Sequence, residues 1–297
     1  MNDEIKKKTV SYSQFSNWFT CPYKFYRDII LHEREFEDNL NMTFGTSIHE
    51  AIQLYLTVLY EQGDQAADVV DMMAKFTETF KNEINKKKIP HTKPEFDEFV
   101  EDAKNILSEF VEPSNRLRYF PRDKWELLGI EDDIREDIVN NVSINAKLDI
   151  VMREKLSGNI RIIDIKTSGR GWSSYDKESF TKISQLLLYK ALYSKKHNIP
   201  LSKIYVEFFI LTRKLYESEK VRYEQSRIQV FKPTSSQSDV IQVIQEFRKF
   251  VNTCFTEEGI HKINGKYPKI PGKAKKNCKY CQYAKNKKCD RKPDIIE

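Results

Sequence analysis

The sequence predicts an α/β fold, a stranded core wrapped by an early helical region, and three observations carry that expectation. Apolar residues recur at helical spacing through much of the first 112 positions. Between 126 and 166 the pattern changes to strand-like segments rich in β-branched residues. After 178, helical and strand patterns interleave to about 254, with no internal repeat. At 297 residues, 39% hydrophobic and 32% charged, the chain suits one elaborated core with an appendage and excludes a disordered segment.

In order, Ser11 and Ser13 are helix caps for YSQFSNWFTCPYKFYRDIIL, where Phe15, Trp18 and Phe19 recur and Pro22 interrupts. A second helix follows Gly45, with Ile48, Ala51, Ile52, Tyr55, Leu56 and Leu59 as its apolar stripe. Helices at about 65 to 88 and 94 to 112 are separated by Pro90 and Pro94. Strands are expected at 126 to 134, 142 to 152 and 159 to 166, with a turn at Gly158-Asn159. A helix at about 178 to 196, strands at 203 to 213 and 220 to 231, and a helix at about 237 to 254 complete the pattern.

The opening MNDEIKKKTV has no apolar signal region, and the strongly apolar stretch around Phe208 to Leu211 is too short to cross a bilayer. The expectation is a soluble cytoplasmic protein with no membrane partner. In a reducing compartment five cysteines do not read as a disulfide framework, and clustered ones favour a metal site or reactive thiols. The net charge of +6 is compatible with a polyanion but does not establish one. Lys262 to Lys292 is dense in lysine and interleaved with Tyr267, Tyr280 and Tyr283; composition leaves a solvated tail and a phosphate-binding segment both open.

The chemistry concentrates in two neighbouring strands. In NVSINAKLDIVM, period two puts Ile144, Ala146, Leu148 and Ile150 on one face and Asp149 on the other. In IRIIDIKTS it puts Asp164 and Lys166 on a common face. Two carboxylates and an ammonium are what phosphodiester hydrolysis needs: hard oxygen ligands for Mg²⁺ or Mn²⁺, and a cation to offset developing charge. An isolated Asp-x-Lys is also an ordinary surface ion pair. His49 lies one turn after Gly45 in FGTSIHEAI, and the glycine allows another element to approach. Gln185 and Tyr189 in SQLLLYKAL are one turn apart.

These segments, read in order as SYSQFSNWFTCPYKFY, FGTSIHEAI, LDIV, IIDIKTS, SQLLLYKAL and a terminal cysteine cluster, resemble the RecB-type branch of the PD-(D/E)xK nucleases. The resemblance spans most of the chain apart from a helical insertion at about 60 to 120. It implies a restriction-endonuclease-like core over 1 to 260, with a mixed central sheet flanked by helices and a helical N-terminal region. It also implies a basic cysteine-rich module over 261 to 297 that closes on Cys21. By the same resemblance, His49, Asp149, Asp164 and the main-chain carbonyl of Ile165 would hold Mg²⁺ or Mn²⁺. Lys166 would be the catalytic lysine, with Gln185 and Tyr189 supporting DNA and the site. Ala146 stands where the family often has glycine, so a small residue is retained. Glu131 in LLGIEDDI is a candidate for an assisting acid on the preceding strand.

CKYCQYAKNKKC supplies Cys278, Cys281 and Cys289, a metal signal by its CxxC. Similar nucleases add one N-terminal cysteine to hold a 4Fe-4S cluster, which implies Cys21 here. Such a cluster would staple the two ends of the chain and order the basic surface where DNA enters. Four thiolates suit Zn²⁺ equally well, and Cys254, on an expected helix, reads as a buried thiol. The implied function is a DNA exonuclease acting on a free end or single strand, in repair, recombination, phage or CRISPR DNA processing. The alternative is a noncatalytic iron-sulfur DNA-binding subunit of a larger helicase-nuclease assembly. The chain has no GxxxxGK[ST] loop, so unwinding would fall to a helicase or recombination partner.

Overall fold

The structure, a computed structural model, describes residues 8–34, 38–216 and 225–293. It opens with a short strand that the sequence pattern did not show, β1 (Lys8–Ser11), leading straight into α1 (Tyr12–Thr20). Ser11 is the cap and Ser13 lies inside the first turn. The Ser11 hydroxyl accepts from Gln14 N at 3.4 Å, and Gln14 Oε1 accepts from Ser11 N at 3.2 Å. Pro22 restarts the chain as α2 (Pro22–Phe25), where its missing N–H costs nothing, and a π-helical turn follows at Tyr26–Ile30.

The next helix, α3 (Leu40–Gln62), begins five residues before Gly45 rather than after it, because the Asn39 side chain accepts from Asn41 N and Met42 N. The single helix expected at 65 to 88 is two, α4 (Asp64–Asp68) and α5 (Met72–Lys87). Asp71 caps the fresh start by accepting from Ala74 N at 2.8 Å. A Thr92–Glu95 capping box opens α6 (Lys93–Val111), and α7 (Pro113–Tyr119) follows. Then come β2 (Trp125–Val139), β3 (Val142–Glu154), β4 (Ile160–Ser168), α8 (Ser174–Lys177), α9 (Phe180–His197) and β5 (Ile204–Thr212). After β6 (Ile228–Phe231) the described elements end with α10 (Gln237–Cys254) and α11 (Gln282–Lys285). The strand expected at 220 to 231 is thus observed over Ile228–Phe231. Its residues 220 to 224 lie outside the described set, while the Gln225 side chain is hydrogen-bonded to the Tyr216 backbone and the Arg227 N–H is taken by Glu109.

The strands form one mixed sheet in the order β1-β3-β4-β5-β6, with β2 also on β3. Helices cover both faces, as a two-faced apolar sheet requires. On one face Phe15 and Trp18 of α1, Leu186 to Tyr193 of α9 and Phe247 and Phe250 of α10 pack with Ile144, Ile162 and Phe208. On the other, Ile48 and Leu56 of α3, Phe76 and Phe80 of α5 and Phe99 and Ile106 of α6 pack with Ile150, Ile163 and Phe209. The helices between 60 and 120 therefore share a core with the sheet.

One departure from period two shapes the site. Ile144, Ala146 and Leu148 belong to the first core, as expected, but Ile150 and Met152 join the second while Val151 joins the first. The alternation changes phase at Asp149. The cause is a fork in the sheet. Because β2 runs along one edge of β3, β1 and β4 must share the other: β1 pairs at Val142 to Asn145 and β4 at Ile150 to Arg153. Residues 146 to 149 line the gap between them. There the Ile165 N–H is bonded not by β3 backbone but by the Asp149 carboxylate, at 2.7 Å.

Candidate active site

The fork brings together the residues that the sequence singled out. Asp149 and Asp164 lie one step beyond the last β3–β4 pair, Ile150 with Ile163, and so face each other where the strands part. Lys166, two residues along β4, puts Nζ 2.7 Å from Asp164 Oδ2 as an ion pair. His49 comes from α3, with Nδ1 3.7 Å from Asp149 Oδ2, and its imidazole lies close to the backbone of Ile165. The backbone of Ile165 therefore lies beside His49 and Asp149.

Gly45 sets how closely α3 approaches. A Cβ there would stand 3.2 Å from Thr167 Oγ1, tighter than an ordinary contact, so the glycine lets the helix that carries His49 seat against β4. On α9, Gln185 Nε2 donates to Tyr189 OH at 2.9 Å, and the buried Tyr189 phenol is close enough to Asp164 and Asp149 to feel their charge.

The electrostatics suit a cation. Burial pushes the Asp164 carboxyl up to about 6; Lys166 opposes that and neighbouring Asp149 adds to it. Asp149 is likewise raised, first by burial, against the pull of Lys166. Burial lowers His49 to about 4, so the imidazole is neutral at pH 7 and has a lone pair to give. Two under-neutralised buried carboxylates, a neutral imidazole and a main-chain carbonyl fit a hard divalent ion by donor chemistry. Among the described residues, no three His, Cys, Asp or Glu side chains are already arranged as a metal site.

Glu131 does not join the group in any described contact. Its φ is +54°, and its carboxylate pairs with Lys147 and accepts from Gln53 at 3.2 Å. Tyr12 is the residue that sequence reasoning missed. Its hydroxyl lies 2.8 Å from Ser184 Oγ, and its phenol is near enough to Asp164 to be raised by it, after burial. An aromatic just inside a capped amphipathic helix reads as core, so no sequence signal separated it from Phe15.

Cys21 and the C-terminal cysteines lie at the other end of α1. Burial raises the Cys278 thiol, and Cys281, Cys289 and Cys21 add to that shift electrostatically. Ile270 N lies 3.5 Å from Cys21 Sγ, Asn277 donates to the Thr20 carbonyl at 3.0 Å, and Tyr283 donates to buried Asp28 at 2.7 Å. Cys254 is buried in α10, as expected.

The mixed sheet with its acid–lysine fork defines the class, an α/β nuclease. Within it, the chain belongs to the PD-(D/E)XK nuclease superfamily, whose model matches residues 9–285. Members of that superfamily generally use divalent metals such as Mg²⁺ or Mn²⁺. Among solved structures, one from Eubacterium rectale, named "Putative exonuclease", aligns with a TM-score of 0.53 at 11% identity, over 99% of this chain and 94% of that one. At that identity the likeness speaks for the fold. A second, SSO0001, aligns at a TM-score of 0.33 and 15% identity, over 90% of this chain and 92% of that one. No curated protein matches the chain. No helix among the described residues is long and apolar enough to cross a membrane.

Proposed function

We propose that this chain is a metal-dependent DNA exonuclease of the RecB type. The observation that carries the reading is the convergence of His49, Asp149, Asp164 and Lys166 at the sheet fork. His49, Asp149, Asp164 and the Ile165 carbonyl would hold Mg²⁺ or Mn²⁺. Once bound, the ion would supply Lewis-acid activation of water and offset charge on the phosphate. Lys166, a third exposed and tied to Asp164, would stabilise charge on the scissile phosphate. The Gln185–Tyr189 pair would fix the wall of the site next to Asp164 and orient the strand.

DNA ends are the preferred substrate because the RecB-type order of motifs is that of end-processing enzymes, and the name of the Eubacterium rectale structure agrees. We assign residues 1 to 260 to the nuclease core and 261 to 297 to a basic module held on Cys21. Cys21, Cys278, Cys281 and Cys289 would hold a 4Fe-4S cluster, with Zn²⁺ as the competing occupant; the supporting observation is that the other three add electrostatically to the raised Cys278 thiol. The cluster's role would be structural.

The test is cleavage of end-labelled linear DNA and of circular DNA by anaerobically purified protein, with Mn²⁺, Mg²⁺ or chelator, beside Asp164→Ala. Metal-dependent loss of linear ends that the variant abolishes is the expected result. Full activity in a nuclease-free Asp164→Ala preparation would sink the site assignment, and cutting of circles as fast as ends would overturn the exonuclease reading.

A further inference from the structure

Asp102 of α6 is a buried acid outside the fork, and both of its oxygens are taken. Oδ2 accepts from Arg213 Nε at 2.8 Å and lies 2.8 Å from Arg213 Nη2, while Lys214 Nζ stands 2.9 Å from Oδ1. Glu98, one turn before Asp102, is 3.0 Å from Lys214 Nζ and 3.7 Å from Arg213 Nη2. Two acids of one helix thus balance two cations that directly follow β5. Glu109, two turns after Asp102, takes the Arg227 N–H at 2.9 Å just before β6, so α6 grips both the exit from β5 and the entry to β6.

Three elements meet at Arg213. Its N–H donates at 2.9 Å to the carbonyl of Ser168, two residues beyond Lys166 on β4. Its Nη1 donates at 2.7 Å to Oδ1 of Asn41, in the first turn of α3. Its guanidinium lies 3.6 Å from the centre of the Phe99 ring of α6 and 5.3 Å from that of Phe44 of α3. These contacts fall just ahead of the place where α3 touches β4, because Gly45 follows Phe44 and a Cβ on it would stand 3.2 Å from Thr167 Oγ1. His49 is one turn further along the same helix.

An exposed ion pair would fix little. Here the Asp102 and Arg213 side chains are 5% and 12% exposed, so loss of either partner leaves a charge in an apolar layer. A buried pair of this kind is a poor source of net stability and serves better as a fixed point of register. Lysine could not replace the arginine: the planar guanidinium serves Asp102 and Asn41 from its edges and lays its face on Phe99.

We infer that Arg213, held by Asp102, is a positioning residue for His49. The clamp fixes the first turn of α3 against the end of β4, the strand of Asp164 and Lys166, and so sets where α3 delivers the imidazole. The inference rests on the nuclease reading above and gives α6, among the helices between 60 and 120, a part in that reaction.

The experiment is titration of the full chain with Mn²⁺, followed by loss of the free-ion EPR signal, beside the melting temperature without metal and cleavage of linear DNA at rising Mn²⁺. Asp164→Ala identifies the site being filled. Arg213→Lys and Asp102→Asn are each expected to weaken Mn²⁺ binding several-fold, with cleavage recovering as Mn²⁺ is raised. Both disturb a buried pair, so Asn41→Ala separates positioning from folding. It removes one hydrogen bond from an exposed residue and should weaken Mn²⁺ binding about two- to five-fold with no fall in melting temperature. In a His49→Ala chain, Asn41→Ala should cost no further affinity. Parental Mn²⁺ affinity in all three variants, with lower melting temperatures for the buried pair, would show that the clamp only holds the fold; the inference is then wrong, and the nuclease reading stands if the parent chain cleaves DNA. A loss that adds to that of His49→Ala places the effect elsewhere and overturns the inference as well. If the parent chain neither binds Mn²⁺ through Asp164 nor cleaves DNA, the nuclease reading falls and the inference falls with it.

Discussion

The two ends of α1 carry two clusters built in opposite ways. At its N-terminal end, the carboxylates and lysine ride on β3 and β4, which are fixed by ladder hydrogen bonds and buried between two helical layers. At its C-terminal end, Cys278, Cys281 and Cys289 sit in a segment whose described regular structure is a 3₁₀ stretch at Lys273–Cys278 and the four-residue α11. Ala274 and Lys275 there adopt φ of +52° and +56°, a conformation that costs energy for residues with a Cβ. The first cluster is positioned by the fold. The second is held by individual side-chain contacts such as Tyr283 to Asp28.

The contrast can be broken most sharply at Asp164. Asp164→Asn is expected to lower cleavage at least about 10³-fold without lowering the melting temperature of the metal-free protein, since it removes a buried charge. The sign with pH follows from the raised carboxyl. Asp164 titrates near 6 when folded against 3.8 ordinarily, so its favourable contribution is complete below pH 3.8 and is lost as pH rises through 6. The thermal advantage of the amide should therefore show at pH 8 and vanish near pH 4, and an advantage independent of pH would contradict the assignment.

Cys281→Ser should do the reverse at the other end. We expect bound iron or zinc to fall in elemental analysis, cleavage by trypsin within Lys273 to Lys276 to become fast, and stability to drop by about 2–5 kcal/mol in urea unfolding. Unchanged metal content and protease resistance would show that the thiols hold nothing. Tyr283→Phe deletes one buried hydrogen bond and leaves Asp28 with Asn17 and Lys24. A loss of about 1–3 kcal/mol is expected in the same assay, with cleavage by the folded protein unaltered.

The smallest effect belongs to Gly45→Ala. Better helix propensity offsets the 3.2 Å approach to Thr167, so stability should move by no more than about 1 kcal/mol. Displacement of His49 should nevertheless slow cleavage several-fold at limiting metal, with partial recovery when Mn²⁺ is raised. A slowing that metal does not relieve would place the effect elsewhere than at His49.

Much of this was legible in the chain. Helical and strand periodicities located the main elements, α10 among them, because amphipathic patterns report which face is buried. Asp164 and Lys166 share a face for the same local reason. What failed was decided by neighbours distant in sequence. β1 has four residues and is a strand only because β3 offers it an edge. Helix starts moved where an asparagine or aspartate side chain won the free N–H groups, as at Asn39 and Asp71.

The residue types and their order were thus set by the sequence itself: two carboxylates, a lysine, a histidine after a glycine, and cysteines split between the two ends. Only the tertiary structure decided that β1 and β4 share an edge of β3 and leave a fork at Asp149. It alone put the Asp149 carboxylate on the Ile165 N–H, brought Tyr12 near Asp164, and closed Asp102 of α6 on Arg213. Periodicity is a property of one segment against one surface. A site assembled from four segments depends on where those surfaces meet, and that is fixed by packing that no single segment encodes.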